Sequence, residues 1–394
     1  MKYLRLLFLA AILVPAKAHA GFSFGLGKAV AKRGAALIDQ AAGPPLPACG
    51  NPPYFTVYPV ALSDLVSIVP LGNLNPAGGH VFPTDHNYFE IRKANASTTA
   101  NVALYAPGNL RITSLASSQY LNASPSYVDY TIEYSVCNGF SGYFYHVQSL
   151  SPGLAAQLGG SGNCSTYTTG VFTVNRCDKQ VRVDVNAGDL LGTVGGGPNN
   201  SIGFDVGTYD TRNSLPFIDP ARQISTSLGA VCSLDYFSSD KRTVLRSYLG
   251  NFNGAPKRTV EPICGSVNQD VANSAQGVWF KIGAPDNPQD PHLALVHDNV
   301  DPTQGVFSVG SSVTTIPVGT YQFTPKNSGQ VNRDFNQVTA DGNIYCYDSF
   351  SFVPGASSIL IQMTDANNLK IEKGASTTCG AGPWSFSSPT TFVR

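Results

Sequence analysis

Charge is what this sequence has least of. Asp, Glu, Lys and Arg make up 13% of its 394 residues, and 25 basic groups balance 25 acidic ones. Soluble proteins usually carry ~25% charged residues. With no Lys/Arg run and no net positive charge, a basic nucleic-acid-binding surface is excluded as the default. No cysteines stand in the C-x-x-C pairs of a zinc ribbon. There is no Gly-x-Ser-x-Gly elbow for a nucleophilic serine. Gly195-Gly196-Gly197 is not followed by the Gly-Lys-Ser/Thr of a phosphate loop. Asp298, Asp301 and Asp341 lack the spacing of a calcium-binding loop and read as turn residues. Past the N-terminal segment no apolar run reaches the ~18 residues of a membrane-spanning helix, so no membrane span is expected.

Apolar and aromatic residues are plentiful. The hydrophobic fraction is 42%, with 18 Tyr and 21 Phe, enough for a packed core and too much for a disordered chain. Gly (39) and Pro (27) punctuate the chain too often for a mostly helical fold.

Residues 1–20 have the layout of a secretory signal. Lys2 and Arg5 precede the apolar run Leu6 to Val14, and Ala18-His19-Ala20 resembles a cleavage site. Removing it takes three basic groups and no acid, leaving a slightly acidic mature chain. The expected location is periplasmic or secreted. In that setting the eight cysteines are most simply four disulfides. Eight allow 105 pairings. The expected ones are Cys164–Cys177 as a hairpin staple, Cys346–Cys379 between C-terminal strands, Cys232–Cys264 across a linker, and Cys49–Cys137.

The patterning divides the rest of the chain. Residues 21–47 read as an N-terminal extension, 48–215 as a β domain, 216–257 as a helical linker, and 258–394 as a C-terminal β-barrel or sandwich. Val181-Arg182-Val183-Asp184-Val185 alternates as a half-buried strand should, and Tyr130–Val136 with Gly142–Leu150 reads as a hairpin around Asn138-Gly139. Residues 234–249 read as a helix capped by Ser239 or Asp240 and stopped at Gly250, serving as an interdomain spacer. Short strands from Val278–Ile282 to Leu369–Glu372 recur about every dozen residues, and seven to nine are expected there. The overall expectation is an all-β, two-domain protein.

The residues that carry chemistry are few. His80, Asp85 and His86 lie within seven residues, and imidazole with carboxylate at short spacing is what zinc binding uses. The plainer alternative is that each hydrogen-bonds within its own loop. His292 and His297 are five apart, an odd spacing that puts them on opposite strand faces and argues against a shared metal. Tyr143, Tyr145, Trp279 and Trp384 suit stacking on sugars, although most aromatics of an all-β protein belong to its core.

Four segments in order then share a pattern: Gly79-His80 with Asp85 downstream; Val102-Ala103-Leu104-Tyr105-Ala106-Pro107-Gly108; Tyr143-Phe144-Tyr145-His146-Val147; and Val185-Asn186-Ala187-Gly188-Asp189-Leu190-Leu191-Gly192. Over residues ~70–210 this resembles the duplicated-hybrid-motif domain of lysostaphin-type peptidoglycan metalloendopeptidases. The resemblance implies a zinc site, with His80 and Asp85 as ligands and His146 in the place of a catalytic histidine. Two departures stand out. His80 and Asp85 are one residue further apart than in that family. Ser201 and Gly203 stand where its final strand carries two histidines, so a third ligand is missing unless the longer loop turns His86 inward. The expectation is therefore a degenerate relative without bound cofactor, binding cell-wall glycan-peptide or another surface polymer without cutting it. The alternatives are a zinc endopeptidase using His80, Asp85 and His86 with His146 as acid/base, and a secreted structural or adhesion module.

Overall fold

The structure is a computed structural model and describes residues 45–91, 101–124, 126–159, 162–169, 172–195, 203–353 and 355–394. The expected signal segment, most of the N-terminal extension, Gly196, Gly197 and Ser201 lie outside the described residues. The chain is mostly β, as expected, with two antiparallel sheets and two short α-helices among the described residues.

The first sheet uses β1 (Leu65–Val69), β2 (His86–Ile91), β3 (Val102–Tyr105), β4 (Leu110–Tyr120), β5 (Tyr127–Cys137), β6 (Phe140–Leu150), β7 (Asn163–Thr169), β8 (Phe172–Val185), β9 (Leu190–Val194) and β10 (Gly203–Asp210), with helix α1 (Pro152–Leu158) after β6. Its main path runs β1-β2-β10-β6-β5-β4-β8-β7, while β9 pairs with both β3 and β6. The β5–β6 hairpin turns at Asn138-Gly139, where Gly139 has φ +102°, a region glycine enters without a Cβ clash. Strand β10 therefore comes back from far along the chain to lie between β2 and β6.

The second sheet follows the order β14-β13-β12-β11-β18-β17-β16-β15. Its strands are β11 (Gly277–Lys281), β12 (Leu293–His297), β13 (Gly305–Val309), β14 (Gly319–Phe323), β15 (Tyr345–Tyr347), β16 (Ile359–Asp365), β17 (Asn368–Lys373) and β18 (Thr390–Val393). The sheet curls until its two ends meet: the rings of Phe323 on β14 and Tyr347 on β15 lie 4.8 Å apart. The result is a nearly closed barrel filled by Trp279, Phe307, Phe323, Phe335 and Tyr347, all fully buried.

Strand alternation explains how the two sheets join. Tyr321 and Phe323 point into the barrel, whereas Val278, Phe280, Ala294 and Val296 point out of it and share an apolar cluster with Leu71, Phe82 and Val267 beside the first sheet. Phe82 packs edge-on to Phe280 at 5.2 Å and stacks on His292 at 5.4 Å. Asn299 Nδ2 donates to the Pro70 carbonyl (2.9 Å), tying the β12–β13 turn to the end of β1.

Between the sheets, the helix expected over 234–249 covers only α2 (Ser239–Arg246), preceded by a 3-10 turn at Ser233–Tyr236. Phe237 and Ser238 are extended instead. Phe237 bridges Phe55, and Ser238 N donates to the Phe55 carbonyl. Leu234, Phe237, Leu245 and Leu249 are buried in the first sheet's core. The segment continues alongside β1, with Ile68 N donating to the Tyr248 carbonyl and Gly250 N to that of Ile68.

All four expected disulfides are present: Cys49–Cys137, Cys164–Cys177, Cys232–Cys264 and Cys346–Cys379. Four such bonds and no free cysteine among the described residues fit a chain that matures in an oxidising, extracytoplasmic compartment. Among the described residues no helix is long and apolar enough to cross a membrane.

Phe307 touches Phe323, Phe335, Tyr347 and Phe350. Phe307→Ala is expected to cost about 3–5 kcal/mol in denaturant unfolding. Removing the exposed Phe352 (73% exposed) should stay within about 0.5 kcal/mol of the parent.

Candidate functional site

Register brings the site together. Asp205 on β10 faces Tyr88 on β2 and Tyr145 on β6. Side chains two apart on a strand share a face, so His86, Tyr88, Asp205, Tyr143 and Tyr145 all present on one side of the sheet. The same face holds Gly207, opposite both His86 and Tyr143. A Cβ there would sit 2.2 Å from the Tyr143 ring, so only glycine lets that ring lie flat on the strand.

His146 joins this face through an irregularity. A regular strand would send it the opposite way from Tyr145. Instead it has φ +59°, a backbone conformation uncommon outside glycine, and the β5–β6 and β6–β9 registers shift nearby. Its ring comes within 4.4 Å of that of Tyr145 and turns toward β5 and β10. Strain of this kind persists where surrounding contacts over-determine it, and it clusters at functional sites.

The result is an alternating line of carboxylates and imidazoles. Asp85 Oδ1 lies 3.3 Å from His86 Nδ1. His86 Nε2 lies 3.6 Å from Asp205 Oδ2, and His146 Nε2 lies 3.6 Å from the same oxygen. His146 Nδ1 is 2.7 Å from Asp129 Oδ2. The ring of His80 meets that of His86 edge-on at 5.5 Å. Ser227 Oγ donates to Asp85 Oδ2 (2.6 Å). His86 and Asp205 are each 4% exposed, while the His146 side chain is 32% exposed and reaches solvent.

Electrostatics divide the imidazoles. Burial opposes charge on His146, but Asp205 and then Asp129 outweigh it and push its pKa up to about 9. His86 moves upward for the same reasons, burial being outweighed by Asp205 and Asp85. His80 goes the other way. Burial, reinforced by His86, pulls it down to about 3, so it is neutral at ordinary pH. Burial works against ionisation of Asp85, yet its hydrogen bond with His86 and its bond from Ser227 hold it below the usual carboxylate range. Glu90, on β2, is pushed up to about 7 by burial and by Asp205.

Of the residues expected from sequence, Asp85 and His86 are in contact, His80 packs on His86, and His146 reaches the group through Asp205. Asp85 has both oxygens engaged, which makes it a support for His86. Asp205, Asp129 and Ser227 were not foreseen. The position facing the histidines is Asp205, two residues beyond Gly203. The signal that points to it is an acid inside an apolar strand, Phe204-Asp205-Val206. Asp129 shows the same pattern within Tyr127-Val128-Asp129-Tyr130.

The other candidates resolve into structural contacts. His292 Nδ1 accepts from Lys281 N (3.0 Å), and His297 Nε2 lies 3.1 Å from Asp334, so the two are apart. Asp298 and Asp341 accept backbone N–H groups of their own turns.

The zinc implied by the sequence resemblance can be tested against these donors. Among the described residues no group of three or more His, Cys, Asp or Glu side chains stands ready to hold a metal ion. The donors nonetheless fit in kind. His86 Nε2 is buried without a hydrogen-bond partner. The 3.6 Å between His86 Nε2 and Asp205 Oδ2 is near the ~3.3–3.5 Å between neighbouring donors of a tetrahedral zinc shell. The Nδ1 atoms of His86 and His146 are each backed by a carboxylate, as in metal-binding histidines. No protein family, no curated protein and no solved structure matches the chain.

Stability should respond to both shifts. The raised His146 stabilises the fold fully below its unfolded pKa of ~6.5 and loses that contribution as pH rises through about 9. The lowered His80 has the opposite sign: its contribution is present above ~6.5 and is lost as pH falls toward about 3. In chelator-treated protein, histidine-selective NMR should show His146 protonated up to about pH 9 and His80 neutral down to about pH 3. Asp129→Asn should lower the His146 value. A His146 titration at an unshifted value in the parent would contradict the arrangement.

Proposed function

We propose that this is an exported hydrolase of a cell-wall glycan-peptide or similar surface polymer, with an altered lysostaphin-type site. The observation that carries this reading is Asp205 between two imidazoles, which fills the gap that Ser201 and Gly203 leave in the sequence. The donors would be His80, His86 and Asp205. His80 is kept neutral, and His86 presents an unpartnered Nε2. The chemistry a divalent ion supplies in such a place is Lewis-acid polarisation of a scissile carbonyl. His146 keeps its proton at neutral pH, reaches solvent and is oriented by Asp129, so it is suited to donate a proton to a leaving amine. Asp85, anchored by Ser227, fixes the ring of His86. The periplasmic or secreted location belongs to the same proposal and rests on the four disulfides.

One observation favours the second reading, binding without cleavage. With both imidazoles protonated, Asp85, His86, Asp205, His146 and Asp129 form a line of ion pairs that needs no metal.

Metal content and peptidoglycan release together separate the two. The hydrolase reading expects about one divalent ion per chain after dialysis against trace zinc, lost in His86→Ala and Asp205→Ala, with soluble fragments released from purified sacculi. In His146→Gln the metal should stay, while release falls by about 10²–10⁴-fold. Pelleting with sacculi without metal or release would leave the binding reading standing and end the catalytic one.

A further inference from the structure

A second site lies away from the histidines, where the two sheets meet. A cleft of about 440 Å³ opens between the end of β1 and the loop after α2 on one side, and the β12–β13 turn, β14 and the loop after β15 on the other. Its size falls in the ~300–1,000 Å³ range of small-molecule sites. Asn251, Gln304, Gln322 and Asp301 line it, together with the rings of Phe252 and Phe352.

Two features mark it as built for an occupant. The first is Gln322. Strand alternation turns it out of the barrel, since Tyr321 and Phe323 point in, and it is only 8% exposed. Its side chain lines the cleft, and neither of its amide atoms is among the buried polar atoms left without a partner, so its amide is available at the cleft wall. The second is the pair of aromatic rings. Phe352 is the most exposed large apolar side chain among the described residues, at 73%, and Phe252 is 43% exposed. Phe252 is steadied by the ring of Tyr88 at 5.8 Å, while Phe352 stands free at the rim.

We propose that this cleft binds a neutral saccharide. Amides and a carboxylate match the paired donor and acceptor character of sugar hydroxyls. Exposed phenyl faces suit the apolar C–H face of a pyranose ring. No Lys or Arg lines the cleft, and Asp298 and Asp301 do, so an anionic sugar or a phosphorylated polymer is disfavoured. The polar floor at Gln322 also disfavours an apolar peptide side chain as the anchor. The site is independent of the hydrolase reading: none of its lining residues belongs to the histidine line, although Tyr88 stands between them, its ring 4.8 Å from that of His86.

Isothermal titration of the full chain with chitotetraose, cellotetraose, maltotetraose and mannotetraose tests this, with tetragalacturonate and penta-alanine as comparators. Saturable binding of at least one neutral oligosaccharide is expected. It should weaken about tenfold in Phe352→Ala, and likewise in Gln322→Ala. It should persist in His86→Ala, which separates failure of this site from failure of the catalytic reading. Phe352 lies at the surface, so its variant keeps the fold and reports on the ring alone. No binding to any of the four neutral sugars, binding that ignores Phe352 and Gln322, or preference for tetragalacturonate or penta-alanine would overturn the proposal.

Discussion

A carboxylate buried in the middle of a sheet must be neutralised, and Asp205 imposes that demand on everything around it. At 4% exposure it cannot rely on water. Two imidazoles answer it from opposite neighbouring strands, and each leans on a further carboxylate. The left-handed backbone of His146 and the β2 register of His86 bring both rings to it. The same three carboxylates raise the proton affinity of two imidazoles and would attract a cation in place of those protons. Under the hydrolase proposal, protonation and metal binding would compete at this site.

Much of the fold was legible because its cause is local. Alternation exposed the strands of the second sheet within a residue or two, and a Gly in a tight turn marked the β5–β6 hairpin. Alternation does not mark β18, since Thr390–Val393 is short and follows Ser387-Ser388-Pro389. The expected long helix failed for a nonlocal reason: Phe55 and Ile68 recruit the residues at its two ends into bridges. No periodicity within 234–249 announces a partner nearly two hundred residues away.

The site was half legible. His80, Asp85 and His86 were visible because histidine is scarce and the three are adjacent in sequence. Asp205 was hidden by a register two residues different from the one that matches Ser201 and Gly203 to the missing histidines. Ser227 lies on a short 3-10 turn whose only link to Asp85 is three-dimensional. The aromatics singled out for stacking on sugars went largely to structure. Trp279 is fully buried, with its indole N–H donated to the Ala275 carbonyl. Phe352 and Phe252, among unremarkable loop residues, are the phenyl rings left facing out among the described residues.

The bridge between Ile68 on β1 and Leu249 has a consequence for the sheet's edge. An exposed sheet edge is a template on which another chain can add a strand. Here the segment leading out of the first sheet doubles back over that edge and takes up its backbone hydrogen bonds, while Cys232–Cys264 holds the covering segment closed. The opposite edge is β7, Asn163 to Thr169, which carries Ser, Thr and Asn and is pinned to β8 by Cys164–Cys177. A chain this poor in charge has little electrostatic repulsion to keep copies apart. Its defence against sticking edge to edge is to cover one flank with its own linker and keep the other short, polar and stapled by a disulfide.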